Sequence, residues 1–275
     1  MKGRLLRSMV PVLSKPKKNS KIDVPTVAKE NFVTFWVSNP QSRQYRKTVF
    51  DPTSNDNDDY NKIYNIFTGF PYDGVDDDGV DLVDHVTPGA KAWVNHTWNV
   101  LCKRNQELFL YVVKWAAHIV QKPWEKTETA MFLMGPPGSG KGSWVQALAD
   151  AIGRSYFHHS IGLQTLKDTF AFEGQERNLL LYLDESNFFG PEDMSKIKAF
   201  ITEATMEINV KFVAKKTVKS FSNLIVASNA TLESLFSLMG KFLGDPKFER
   251  RFFFLWVCST FSLFHCYLAT SITYA

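Results

Sequence analysis

A short apolar run, a glycine-rich turn and an amphipathic helix follow one another without interruption in AMFLMGPPGSGKGSWVQALADAI, residues 130–152. No other stretch restricts the fold as strongly. Uninterrupted apolar residues bounded by a turn read as a strand covered on both faces, the kind found inside a parallel sheet. Gly135, Gly138 and Gly140 let the backbone take conformations closed to other residues and let several N–H groups face one point. The helix SWVQALADAI, closed by Gly153, turns the positive end of its dipole back toward that point. Strand, glycine turn and helix in this order make a cradle for phosphate. Gly135, Pro136, Pro137, Gly138, Ser139, Gly140, Lys141, Gly142 and Ser143 are therefore candidate nucleotide-binding residues, with Lys141 expected to reach the β- and γ-phosphates. One position departs from the pattern. The residue after the lysine usually carries a hydroxyl that ligates Mg²⁺, and here it is Gly142. Ser143 is the nearest hydroxyl and the expected metal ligand, but one residue is a rotation of about 100° around a helix. If it cannot reach the ion, Asp184 and water must hold it.

Downstream, strands and helices keep alternating, which predicts an α/β fold: a parallel-rich sheet flanked by helices, of the P-loop NTPase kind. NLLLYLDE reads as a second buried strand, GPEDMSKIKAFITEAT as a helix with Pro and acids at its start, MEINVKFVAKKTVKSF as a pair of strands, and NLIVASN as a third apolar strand. Asp184 and Glu185 end the second strand, where one carboxylate can hold Mg²⁺ and the other can deprotonate an attacking water; the plain alternative is two acids capping the next helix. Asn229 ends the third strand, placed to sense a γ-phosphate. Arg250 and Arg251 precede RFFFLWV, a further buried strand, and read equally well as a salt-bridged strand start or as arginines stabilising phosphoryl-transfer charge on a neighbouring subunit. Lys211, Lys215, Lys216 and Lys219 lie on the expected hairpin, and alternation puts 211, 215 and 219 on one face, which suits a nucleic-acid backbone or solvent.

Charge is uneven although the net value is only +4. Lys2, Arg4, Arg7, Lys15, Lys17, Lys18 and Lys21 face no acid within residues 2–21, whereas residues 51–84 are rich in Asp. Residues 1–27 are thus expected to be a basic, poorly ordered lead-in, and residues 28–125 a small mixed and then helical N-terminal region. Within it, Trp93, Thr97, Leu101, then Leu108, Tyr111, Val112, Trp115 and Ile119 recur at helical steps, with a break near Arg104–Asn105 and a stop at Pro123. His96 and His118 on these helices read as packing or surface residues. Residues 126–257 make the ATPase domain, and residues 258–275 an apolar tail of uncertain origin; its hydroxyl-bearing residues argue against a membrane span. The odd count of three cysteines, without ligand spacing, implies neither a disulfide framework nor a zinc site and fits a reducing, intracellular compartment.

The ordered set GPPGSGKGS, LLLYLDES, KAFITEATMEINVKFVAKK, LIVASNA and ERRFF resembles superfamily 3 helicases. More narrowly it resembles the helicase domain of phage and viral primase-helicases, including the type fused to vent-phage primase-polymerases. VFDP, YNIFTGF and FLYVVKWAAHIVQKP extend the resemblance over about residues 30–256. It implies an AAA+-like, ring-shaped homo-hexamer that uses ATP and Mg²⁺ to move on single-stranded DNA, acting with a primase or polymerase. By position it makes Lys141 the phosphate-loop lysine, Asp184 and Glu185 the metal-binding and water-activating pair, and Asn229 the sensor. Arg250 or Arg251, with Arg251 preferred, becomes the finger acting on the neighbour's nucleotide, and Lys211, Lys215 and Lys216 the residues that grip DNA in the channel. The family usually has Ser or Thr where Gly142 stands, and no primase cluster is visible upstream. Two rivals remain. The spacing GxPGxGKG with a following hydroxyl also resembles adenylate kinase, but Arg177 is the only arginine between residues 155 and 249, too few for such an enzyme. A degenerate viral helicase fragment that binds nucleotide or DNA without turnover would also carry Gly142.

Overall fold

The structure is a computed structural model that describes residues 9–14, 26–42, 44–54, 56, 62–71, 87–163, 166, 176–186, 191–208, 216–229, 231, 233 and 250–257. Lys211, Lys215 and the tail from Cys258 lie outside the described residues. The chain divides into two units, Met1–Thr48 with Asn57–Tyr64, and Val49–Asp56 with Asn65–Ala275. In the first, β1 (Met9–Ser14), inside the basic lead-in, pairs antiparallel with β2 (Thr26–Asn31), and α1 (Phe32–Ser38) follows directly. β3 (Lys47–Val49) and β4 (Ile63–Asn65) form a second two-stranded sheet.

The first described helix of the second unit is α2 (Pro88–His96), whose first turn is capped by the Thr87 hydroxyl accepting from the Ala90 amide at 3.2 Å. A π turn, Thr97–Leu101, continues it. Lys103 and Arg104 then take positive φ (49° and 62°), which reverses the chain at the break expected from the sequence. Asn105 caps α3 (Gln106–Gln121), which stops before Pro123 as expected.

Besides a 3-10 turn at Arg154–Tyr156, the remaining described elements are β5 (Ala130–Met134), α4 (Lys141–Ile152), β6 (Phe157–Ile161), β7 (Leu180–Asp184), α5 (Pro191–Thr202), the antiparallel hairpin β8 (Thr205–Ile208) and β9 (Lys216–Lys219), β10 (Asn223–Ser228) and β11 (Phe252–Trp256). Five strands form one parallel sheet in the order β11-β5-β10-β7-β6. The period of two in a strand sorts their side chains onto two faces. Met131, Leu133, Leu180, Tyr182, Ile225, Ala227, Phe253 and Leu255 pack with Val112, Trp115 and Ile119 of α3 and with Trp144, Val145, Leu148 and Ile152 of α4. Ala130, Phe132, Met134, Leu181, Leu183, Leu224, Val226 and Phe252 pack with Met194, Ile197 and Ile201 of α5. Each large apolar side chain buried this way contributes about 1.5–3 kcal/mol, so the helices are held to the sheet chiefly by these two layers. Among the described residues no helix is long and apolar enough to cross a membrane.

β6 was not expected. FHHSI carries two histidines and a serine, and it lies at the sheet edge with one partner and no fully buried residue. Pairing with β7, rather than hydrophobicity, makes it a strand. The opposite end of the domain is tied by Lys126, whose Nζ donates to the Phe200 carbonyl at 2.5 Å, to the Glu203 carbonyl at 3.1 Å and to the Ser220 hydroxyl at 3.3 Å. Those carbonyls end α5, so the lysine satisfies groups that a helix terminus leaves open.

Candidate functional site

Three neighbouring parallel strands deliver their C-terminal ends to the same edge of the sheet. β5 runs into the glycine loop, β10 into Asn229 and β7 into Asp184 and Glu185. Because β10 lies between the other two, Asn229 stands between loop and acids, with strands spaced about 4.8 Å apart. Ligands of open α/β sheets collect at this edge.

The loop is clamped before it turns. The Gly135 amide donates to the Ser228 carbonyl at 3.1 Å, and the Val257 amide to the Met134 carbonyl at 2.7 Å. Gly135 has φ of 148° and Gly140 φ of 91°. Gly140 also caps α4 without a side-chain cap bond to the first-turn N–H groups, which suits them to an anion. Trp144 secures that first turn: its ring stacks on Trp93 at 5.3 Å, and its indole N–H donates to the Thr97 hydroxyl at 2.8 Å.

Lys141 is only 6% exposed and folds back over its own loop. Its Nζ donates to the carbonyls of Gly135 (2.7 Å) and Pro136 (2.9 Å), to the Ser139 hydroxyl (3.2 Å) and to Asn229 Oδ1 (3.1 Å). Burial lowers its pKa, and the nearby Asp184 carboxylate opposes the shift. Lysine, asparagine and aspartate thus form one electrostatic unit, as their order in the sequence suggested.

Asp184 accepts from the Glu185 amide at 2.9 Å, and its other oxygen lies 3.8 Å from His159 Nε2 on β6. Glu185 is exposed and holds a left-handed φ of 51°, a conformation that a non-glycine residue takes only when its surroundings impose it, often at a functional site. Ser143 is exposed on α4, whereas Gly142 faces β7: a Cβ added there would meet the Tyr182 hydroxyl at 3.8 Å. Tyr182 is buried, and the Asp184 carboxylate engages its hydroxyl, short of full hydrogen-bond geometry. Burial raises its pKa, and the Asp184 charge raises it further.

Sequence reasoning passed over His159 and Tyr182. Tyr182 was legible in principle, because it lies two residues before Asp184 and so on the same face of the strand. His159 was not, since its strand gave no apolar signal.

Arg250 and Arg251 do not join the site. They precede β11, which runs parallel to β5, and the Ala130 amide donates to the Arg251 carbonyl at 2.8 Å. They therefore lie at the opposite edge of the sheet, one five-residue strand or about 16 Å from the loop. The base of the hairpin that carries exposed Lys216 lies on the same far side, since it closes through the Ser220 amide on the Ala204 carbonyl (2.9 Å), just before β10 begins.

His96 packs its ring against Gly140, and its buried Nε2 has no hydrogen-bond partner among the described residues. A Cβ at 140 would overlap that ring. Gly140→Ala is accordingly expected to destabilise the protein by about 2–3 kcal/mol, of which about 1–2 kcal/mol is the cost of left-handed backbone for alanine. His96→Ala in the same chain should relieve the steric part only. Urea unfolding of the single and double variants measures both; equal stability of the two would rule out the ring contact.

The sequence profile of DUF5906, a family of unknown function, matches residues 133–240, a span that includes the loop, Asp184, Glu185 and Asn229 and stops short of the arginines. No curated protein matches. Among solved structures, the chain is similar to the A form apo structure of the NrS-1 C-terminal region, with a TM-score of 0.58 and 20% identity over 85% of this chain and 55% of that one. An apo structure of the same NrS-1 region gives a TM-score of 0.58 and 19% identity, again over 85% and 55%. The chain spans about half the length of these structures. At such identity the likeness is one of fold.

Proposed function

We propose that this chain is the ATP-hydrolysing motor of a viral-type replicative helicase, working as a homo-hexamer on single-stranded DNA with Mg²⁺ as its metal. The observation that carries the reading is the convergence of the Lys141 loop, Asn229 and the Asp184–Glu185 pair at one edge of a five-stranded parallel sheet. The fold likeness to the NrS-1 C-terminal region supports it.

In this reading the first-turn N–H groups of α4 and the Lys141 ammonium receive the phosphates, and the lysine exchanges its carbonyl partners for phosphate oxygens. Asp184 suits a hard, oxygen-seeking cation, as carboxylates do. Mg²⁺, when bound, offsets the negative charge on the reacting phosphates. Glu185, exposed beside it, orients and deprotonates the attacking water, and the Asn229 amide steadies the γ-phosphate. Arg250 and Arg251 are too far from their own loop to take part, so Arg251 acts on the nucleotide of the adjacent subunit. Lys216, with Lys211 and Lys215, grips the DNA backbone. A primase or polymerase supplies the rest of the replication machinery.

ATP hydrolysis measured with and without single-stranded DNA, together with a native mass measurement, tests this. Stimulation by DNA in a hexamer is expected. A monomer whose turnover ignores DNA, or no turnover at all, would sink it; the latter favours the nucleotide-binding fragment, for which Gly142 is the specific argument. Dependence on AMP instead of DNA would point to a phosphotransferase. Lys216→Ala should weaken DNA binding equally across sequences and reduce the slope of log affinity against log salt by about 0.7, the share of one phosphate contact on a single strand. Anisotropy titrations at several salt concentrations read that slope, and an unaltered slope removes Lys216 from the interface.

A further inference from the structure

Gly142 leaves room where nucleotide loops usually carry a hydroxyl, and another hydroxyl already faces that room. Tyr182 Oη lies 3.8 Å from where a Cβ at 142 would stand. The tyrosine is 1% exposed, and its oxygen engages the Asp184 carboxylate without closing a full hydrogen bond to any described residue. A buried hydroxyl whose hydrogen bonding is incomplete costs up to about 1–3 kcal/mol, so one aimed at this place calls for a reason. Its position is well determined. The ring stacks on His159 at 5.0 Å and on Phe157 at 6.4 Å, both on the paired strand β6. Strand alternation puts it on the same face as Asp184, two residues on. The phenol has a proton to donate and lone pairs to accept with.

We propose that Tyr182 supplies from the sheet the hydroxyl that position 142 lacks, acting as a positioning residue that orients the Asp184 carboxylate and a water of the hydrated Mg²⁺ accompanying the nucleotide. The inference rests on the nucleotide reading above. Mg²⁺ keeps several of its waters when bound, so a phenol can serve it through a water without replacing one. Ser143, exposed one residue further around α4, is then not the replacement.

The test is calorimetric titration of ADP into the purified full chain, with Mg²⁺ and with EDTA, for the wild type, Tyr182→Phe and Tyr182→Phe/Gly142→Ser. Tyr182→Phe removes only a hydroxyl whose contact with Asp184 falls short of a full hydrogen bond, so thermal stability and metal-free affinity are expected to stay near wild type. The gain in affinity that Mg²⁺ brings should fall by about 10-fold or more, the scale of losing a group that orients a metal ligand. Gly142→Ser in that background should restore the gain by returning a hydroxyl to the same space. An undiminished Mg²⁺ gain in Tyr182→Phe overturns the proposal, as does loss of the gain in Ser143→Ala with its retention in Tyr182→Phe. If Tyr182→Phe fails to fold, Gly142→Ala decides: its methyl group covers the hydroxyl, and a full Mg²⁺ gain there overturns the proposal. A wild type that binds no nucleotide in either buffer overturns the nucleotide reading itself, which sets that failure apart from the failure of the tyrosine's role.

Discussion

Replacing Lys141 with alanine is expected to lower ATP hydrolysis by about 10²–10³-fold, the cost of deleting one preorganised charge from a reaction that gathers negative charge. The geometry explains why no neighbour compensates. Lys141 is the cation that the loop itself holds, through the carbonyls of Gly135 and Pro136, and it is also bonded to Asn229. The substitution should leave the protein folded. Burial already disfavours the charged lysine, so losing its hydrogen bonds is partly offset by losing that penalty. Steady-state turnover and urea unfolding, measured on the same preparation, separate the two effects. Wild-type turnover in Lys141→Ala would end the assignment of this loop as the catalytic cradle.

The second large effect concerns folding. Gly135→Ala is expected to destabilise the protein by about 3 kcal/mol or more, because an added Cβ would overlap the Val257 carbonyl. That obstacle is backbone and cannot rotate away. Val257 is hydrogen-bonded to Met134 at 2.7 Å, and Gly135 to Ser228 at 3.1 Å, so relief requires breaking the sheet where β5, β10 and β11 meet the loop. The φ of 148° adds a conformational cost. Gly138→Ala is the internal comparison. Its φ is 75°, but no described residue lies within 4 Å of the added Cβ, so only the left-handed backbone cost of about 1–2 kcal/mol applies. If the two variants unfold at the same urea concentration, the Val257 contact is not what constrains the loop.

These two glycines mark the division between what sequence and structure each supply. The spacing from Gly135 to Lys141 was readable because phosphate binding needs local backbone geometry, and local geometry is written in adjacent residues. The four long apolar strands were readable for a similar reason: burial on both faces requires uninterrupted apolar side chains. Which glycine touches backbone and which touches open space depends on β11, more than a hundred residues downstream, and no local pattern carries that information.

The site followed the same rule. Asp184 and Asn229 were each expected at the end of an apolar strand and Lys141 in the glycine loop that follows another, and the strand order brings them to one edge. By itself, then, the chain's apolar periodicity and glycine spacing determined the α/β class, the strands of the sheet interior and the residues at their ends, because those depend on neighbours in sequence. The order β11-β5-β10-β7-β6, the edge strand with His159, the removal of both arginines to the far edge, and the Tyr182 hydroxyl set against Gly142 were decided only by tertiary structure. Each is a pairing between segments far apart in the chain, and such pairings depend on packing and register across the whole sheet.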